Sequence, residues 1–171
     1  MSARIGREPA PVKNRTTVER TSEREVVVTR IIDGPARLVF EAFSRAELLR
    51  RWWVPRSMGM NLLSCEVDAR VGGRYRLEFD VGGAEPAAFF GTYVEVEPYS
   101  RLAWTNDEGG EGGSVTTVTF EETGGKTRVV LRESHSSKEA LDAAGGAADA
   151  MPETFDQLQE LVVALGEGSG E

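Results

Sequence analysis

The chain has 171 residues, with 20 Lys and Arg against 28 Asp and Glu, one cysteine and one histidine. A single cysteine excludes an internal disulfide and a cysteine-rich metal site, and a single histidine excludes a histidine metal cluster. The acidic excess repels phosphate backbones, so nucleic acid is not an expected partner.

No run approaches the roughly 20 apolar residues needed to cross a bilayer. The N-terminus has charge but lacks the apolar core of a secretory signal. The expected compartment is the cytoplasm, and the length predicts one domain. Charge is uneven, with a net +3 over residues 1–24 and −11 over the remainder. Residues 1–23 mix Pro, Ser, Thr and charges without apolar periodicity and read as a disordered leader. From Arg24 to Ile32 the β-branched density rises sharply, which predicts a strand buried on both faces. Asp33-Gly34-Pro35 breaks it, with Asp33 as the expected N-cap and Pro35 suited to a first helical turn. Over Ala36–Ser44, Val39, Phe40, Ala42 and Phe43 recur at helical spacing. Ser44 is expected to cap a second short helix, Arg45–Arg51, which ends at Trp52-Trp53 before Pro55.

A sheet follows. Leu62–Asp68 alternates weakly, whereas Arg74–Val81 alternates cleanly, with Tyr75, Leu77 and Phe79 on one face. Gly72-Gly73 and Gly82-Gly83 mark tight turns around it. Ala87–Glu97 reads as a longer strand carrying Phe90, Val94 and Val96 on one face and Phe89 and Tyr93 on the other, with Gly91 as a bulge. Leu102 and Trp104 share a face of Arg101–Asn106, and Asp107–Gly113 is expected to be a mobile loop. Val115–Glu121 and Thr127–Glu133 flank Gly124-Gly125 as a last hairpin. Lys138–Ala144 predicts a turn or two of helix, interrupted by Gly145-Gly146. A final helix begins near Asp149 and carries Met151, Phe155, Leu158, Leu161, Val162 and Leu165 on one stripe. Gly166 onward reads as a frayed end, with residues 167–171 as a flexible tail. The order β-α-α-β(6)-α over residues 24–166 is an α+β arrangement, whose sheet must cover its dry face with the terminal helix.

Three segments carry a family resemblance: Pro35-Ala-Arg-Leu-Val-Phe-Glu-Ala-Phe, Leu49-Arg-Arg-Trp-Trp-Val-Pro and Asp68-Ala-Arg-Val-Gly-Gly-Arg-Tyr. It continues through Gly91-Thr-Tyr-Val-Glu-Val-Glu-Pro, Arg101-Leu-Ala-Trp-Thr, Val118-Thr-Phe-Glu-Glu and Gly125-Lys-Thr-Arg-Val. In order and spacing the chain resembles the activator-of-heat-shock-protein-90-ATPase homologue group of the START-like (SRPBCC) superfamily. The resemblance implies a helix-grip fold of the START-like and Bet v-like kind, with a hydrophobic cavity between the long helix and a curved antiparallel sheet. Two departures stand out. Eukaryotic co-chaperones of the group carry a separate N-terminal domain where this sequence has a short leader, so their activity is not carried over. The last helix opens with Ala150-Met151-Pro152, where relatives often carry a Gly-Trp or Gly-Met pair.

Side chains for chemistry are few. Counting by two places Thr127, Val129, Leu131, Glu133 and His135 on one strand face. Glu133 and His135 then either emerge at a cavity end, as ligand contacts or as a weak acid–base candidate for catalysis, or stand in water. Adjacent Trp52 and Trp53 are expected to point apart, one into the core and one to a rim. With them, Tyr75, Leu77, Phe79, Trp104, Phe120, Leu131, Met151, Phe155 and Leu158 form the expected inward set, together with His135 the candidate ligand contacts. Arg70 is expected to pair with Asp68 or Glu66 at a turn, and Cys65 to act as a small packing residue. No metal or cofactor is expected. The leading expectation is a module that binds a hydrophobic or amphipathic small molecule. The alternatives are a cyclase- or dehydratase-type enzyme using Glu133 and His135, and a chaperone-associated or regulatory interaction protein. Either a monomer or a homodimer fits.

Overall fold

Eight antiparallel strands in the order β1-β2-β8-β7-β6-β5-β4-β3 form one sheet in the computed structural model, which describes residues 16–59, 61–80, 82, 85–107, 113–143 and 150–168. The strands are β1 Thr17–Arg20, β2 Glu25–Ile32, β3 Asn61–Val67 and β4 Arg74–Asp80, then β5 Ala87–Glu97, β6 Arg101–Asn106, β7 Ser114–Thr123 and β8 Lys126–Ser134. Two short helices, α1 Ala36–Ser44 and α2 Ala46–Leu49, separate β2 from β3, and α3 Lys138–Ala143 precedes the long α4, Met151–Gly168. This is the helix-grip arrangement, and the six strands after the helix pair follow the expected order.

The core lies between the sheet and α4. Phe155, Leu158, Leu161 and Val162 are buried on the helix side, facing Val28, Ile32, Val118 and Val129 on the strands. Their spacing is the 3.6-residue stripe read from the sequence. α1 fills one end of the concave face: Phe40 and Phe43 stack edge-on against Phe120 at 5.5 and 5.4 Å. Trp52 closes that end, fully buried, with its indole N–H donating to the Ala42 carbonyl at 2.9 Å.

Several local expectations need correction. Thr17–Arg20 pairs with Val26–Thr29 as an edge strand inside the stretch read as a leader. Its four residues are all exposed, so no apolar alternation signals it; the ladder hydrogen bonds to β2 make it a strand. Asp33 does not cap α1, whose N-cap is Pro35 without a side-chain bond. Its carboxylate is taken by Lys126 and by Gln159 of α4 instead. Ser44 likewise turns back to the Phe40 carbonyl at 2.8 Å, leaving Arg45 to precede an α2 that is shorter than predicted. β2 buries Val26, Val28, Arg30 and Ile32 on its inner face, but Thr29 and Ile31 on the other face are only half-buried.

In β5 the register shifts between Tyr93 and Glu95, so the irregularity falls at Val94 and not at Gly91. Gly91 has a different reason to be glycine: a β-carbon there would lie 1.8 Å from the Thr105 carbonyl oxygen. α4 continues through Gly168, past the expected fraying point at Gly166. The expectations for residues 1–15, for Val81 and Gly83, for Glu108–Gly112, for Gly145-Gly146 and for the last three residues lie outside the described residues.

Candidate functional site

The end of the concave face that α1 does not reach is hollow. A cavity of about 500 Å³ opens there between β4–β8, the start of α4 and the segment after α2. Two causes combine. Ala150 just before α4 and Thr154 in its first turn are small, and the aromatic residues of α1 pack mainly at the other end. Phe43 is the one α1 side chain that reaches the wall.

The segment Trp52–Met58 forms the rim opposite the sheet, and α4 holds it. Gln157, itself buried, donates to the carbonyls of Trp52 at 3.0 Å and Val54 at 2.8 Å, and accepts from the Arg56 amide at 2.9 Å. Glu153 accepts from the Ser57 amide at 2.9 Å and from its hydroxyl, and Glu160 pairs with Arg56 at 3.2 Å. The bonds from Ser57 hold the Glu153 carboxyl below its usual range. This tether orients Trp53, Val54, Pro55 and Met58 toward the cavity.

Most of the wall is apolar: Leu77 and Phe79 from β4, Phe89 from β5, Trp104 from β6, and Leu49 and Met151 from the helices. One band is polar, and the strand register explains it. Pairing sets Tyr93 opposite Trp104, Trp104 opposite Thr116 and Thr116 opposite Glu133, a row across four strands. The next row inward-facing on the same side holds Tyr75 opposite Gly91 and Asn106 opposite Ser114, and the β7–β8 ladder carried one residue further puts His135 level with Ser114. Since Gly91 has no side chain, the Tyr75 hydroxyl crosses over it and shares its one proton between the Thr105 carbonyl at 2.8 Å and Asn106 Oδ1 at 3.0 Å. Asn106 Nδ2 in turn donates to Ser114 Oγ and Thr116 Oγ1, both at 2.9 Å.

At the β8 end, His135 Nε2 lies 3.1 Å from Glu133 Oε1, with the imidazole 9% exposed. The His135 amide also donates to the Arg24 carbonyl at 2.8 Å, which extends the strand pairing past Ser134. At the β5 end, burial pushes the Tyr93 phenol far above its ordinary value, with smaller contributions from Cys65 and Asp68.

Of the residues singled out from sequence, Trp53, Tyr75, Leu77, Phe79, Trp104, Glu133, His135 and Met151 line the cavity. Trp52, Phe120, Leu131, Phe155 and Leu158 do not. They are buried in the packed core where α1 and α4 close on the sheet, and Phe155 touches Phe43 and Trp52 edge-on at 6.5 and 6.1 Å. Trp52 is buried in the core and Trp53 reaches the wall, but the two do not point apart: their rings pack edge-on at 5.3 Å. Phe43, Leu49, Val54, Pro55, Met58, Phe89, Tyr93, Asn106, Ser114, Ala150 and Thr154 also line it and were missed from sequence as contacts. For Asn106 and Ser114 the signal was their position at facing strand ends, which only the register reveals. Arg70 pairs with Asp68 at 2.9 Å outside the cavity. Cys65, half-buried, has its thiol pushed up by burial despite the opposing charge of Arg50, which suits a packing role. Among the described residues, no group of His, Cys, Asp and Glu is arranged to hold a metal ion, and no helix is long and apolar enough to cross a membrane.

The family model described as "Activator of Hsp90 ATPase homolog 1-like protein" matches residues 33–163. Among solved structures, a protein from Rhodobacter sphaeroides matches with a TM-score of 0.78 at 20% identity, covering 88% of this chain and 99% of that one. A protein from Nitrosomonas europaea gives 0.76 at 22% identity, covering 86% and 99%. An AHSA1-like protein from Aeromonas hydrophila gives 0.63 at 22% identity, covering 82% and 94%. At these identities the likeness shows the fold alone. No curated protein matches.

Proposed function

This chain belongs to the Activator of Hsp90 ATPase homolog 1-like family, and from that premise and its cavity we propose that it is a receptor for a hydrophobic or amphipathic small molecule. The observation that carries this reading is the hollow of about 500 Å³, walled mainly by apolar and aromatic side chains with a short polar band. Volumes of a few hundred to about 1,000 Å³ with few convergent polar groups are typical of small-molecule sites. A packed core would instead close such a space, because unfilled apolar volume costs stability.

The test is thermal unfolding across a broad library of hydrophobic compounds. A ligand present at about 100 times its Kd stabilises the fold by about 2.7 kcal/mol, or about 5–11 °C for a domain of this length. No shift with any compound would sink the reading.

One specific observation favours a second reading. Glu133 and His135, 3.1 Å apart at the cavity wall, have the carboxylate–imidazole arrangement used for general acid–base work. As an enzyme of this kind the protein would move a proton on the bound molecule through the imidazole, with Glu133 fixing the ring. Turnover of a bound compound that disappears in His135→Ala, with the unfolding temperature retained, supports this reading. Unchanged turnover removes it.

A further inference from the structure

We propose that the occupant of the cavity is a neutral amphiphile with a hydroxyl or phenol at one end, docked on the polar band, and not a fatty acid or other carboxylate. This rests on the receptor reading above and specifies its ligand class. The argument is a count of donors, acceptors and charges around the hollow.

Four residues of the band bear on it. Ser114 Oγ accepts from Asn106 at 2.9 Å, and its own proton has no acceptor among the described residues. Tyr93, 3% exposed, brings a second hydroxyl with no hydrogen-bond partner among the described residues, at the far β5 end of the band. Glu133 engages His135 through Oε1, which leaves Oε2 as an open acceptor. The band thus offers two hydroxyls that both donate and accept, and one carboxylate that only accepts. A guest hydroxyl has the same dual character and can donate to Glu133 while accepting from Ser114, the diagonal neighbour of Glu133 on β7.

The Asn106 carboxamide adds selectivity by being already committed. Its oxygen receives Tyr75, and both its N–H groups go to Ser114 and Thr116. It therefore holds Ser114 in place without offering a spare donor to an anion.

Charge separates the hydroxyl from the carboxylate. Among the described residues no Lys or Arg lines the cavity, whose ionisable side chains are Glu133, His135, Tyr75 and Tyr93. A guest carboxylate would be desolvated next to Glu133, with no described Lys or Arg beside it and the imidazole already engaged by that glutamate. An unpaired charge in such a place is strongly disfavoured. An ammonium can pair with Glu133 Oε2, but having no acceptor of its own it leaves the proton of Ser114 unmatched.

The probes are hexylbenzene, para-hexylphenol, para-hexylbenzoate and para-hexylbenzylamine, with binding followed by fluorescence of Trp53 and Trp104. The phenol should bind about five- to tenfold more tightly than hexylbenzene, the gain of about one net hydrogen bond. It should bind at least about tenfold more tightly than the benzoate, the discrimination expected when one guest leaves a buried charge unpaired, and more tightly than the amine, which cannot accept from Ser114. Ser114→Ala should narrow the ratio of phenol to hexylbenzene, and Glu133→Gln should narrow the ratio of phenol to benzoate. If hexylbenzene binds but the phenol gains nothing, or if benzoate or amine binds as well as the phenol, the ligand class is wrong while the receptor reading stands. If all four fail to bind at their solubility limits, both fall.

Discussion

Replacing Gly91 by alanine should destabilise the protein by about 3–5 kcal/mol, far more than one methyl group on a half-open strand normally does. The new β-carbon would stand 1.8 Å from the Thr105 carbonyl oxygen, 2.8 Å from its carbon and 2.9 Å from Cε2 of Tyr75. Ordinary contacts between such atoms are about 3.5 Å, so β5 and β6 must separate by more than 1 Å at the point where they support the polar band. Overpacking of this kind costs about 1–3 kcal/mol. Displacing the Tyr75 hydroxyl from Thr105 and Asn106 adds about 1 kcal/mol for each bond. At about 2–4 °C per kcal/mol for a domain of this length, the midpoint of thermal unfolding should fall by about 6–20 °C. Urea unfolding followed by tryptophan fluorescence measures the free energy directly. Tyr75→Phe alone should cost about 2 kcal/mol, and the double variant should lose about 1–2 kcal/mol less than the sum, because both changes remove the same bonds. A loss below about 1 kcal/mol for Gly91→Ala, or strict additivity with Tyr75→Phe, would refute the reasoning.

Other predictions concern different parts of the molecule. Gln157→Ala removes three hydrogen bonds to the rim and should cost about 3 kcal/mol in urea unfolding; a cost below about 1 kcal/mol would mean the rim is held by packing alone. Arg30 is buried, pairs with Asp156 at 2.6 Å and leaves Nε without a partner. Asp156→Ala should therefore cost about 2 kcal/mol, less than for a fully buried pair because the carboxylate is mostly exposed; a value equal to that of an exposed-pair control such as Glu160→Ala would contradict this. The raised folded pKa of Tyr93 means the native state keeps a proton that the unfolded chain releases. Its contribution is intact below about pH 10 and is lost as pH rises further. Tyr93→Phe should flatten the alkaline decline of stability, and two equally steep profiles would count against the burial argument.

What the sequence disclosed, and what it withheld, follows the range of the interactions. The α4 stripe from Phe155 to Val162 and the alternation of Tyr75, Leu77 and Phe79 are local periodicities, so both were legible. The choice between Asp33 as a cap and Asp33 as a partner for Lys126 and Gln159 depends on residues 93 and 126 positions away, beyond any local rule. Ser44 could accept from an amide of the helix ahead or donate to the Phe40 carbonyl behind, and the helix behind it won. Gly91 reads as a bulge because the Thr105 carbonyl that demands it is invisible until the strands are laid side by side. Phe120 and Leu131 share a face with residues that do line the hollow, and only the position of α1 decides which end is filled. The polar band was half legible: Glu133 and His135 emerged from counting by two, whereas Asn106 and Ser114 needed the register between β6 and β7.

The tether from Glu153, Gln157 and Glu160 to the Trp52–Met58 segment also governs how a guest enters and leaves. Such a wall is not a free flap, because swinging it outward strips hydrogen bonds from the first turns of α4. Passage through that side is thus linked to release of the segment from the side chains of α4. Guest exchange and deuterium uptake at the amides of Arg56 and Ser57, which donate to Gln157 and Glu153, should keep the same time, quickening together when Gln157 is shortened.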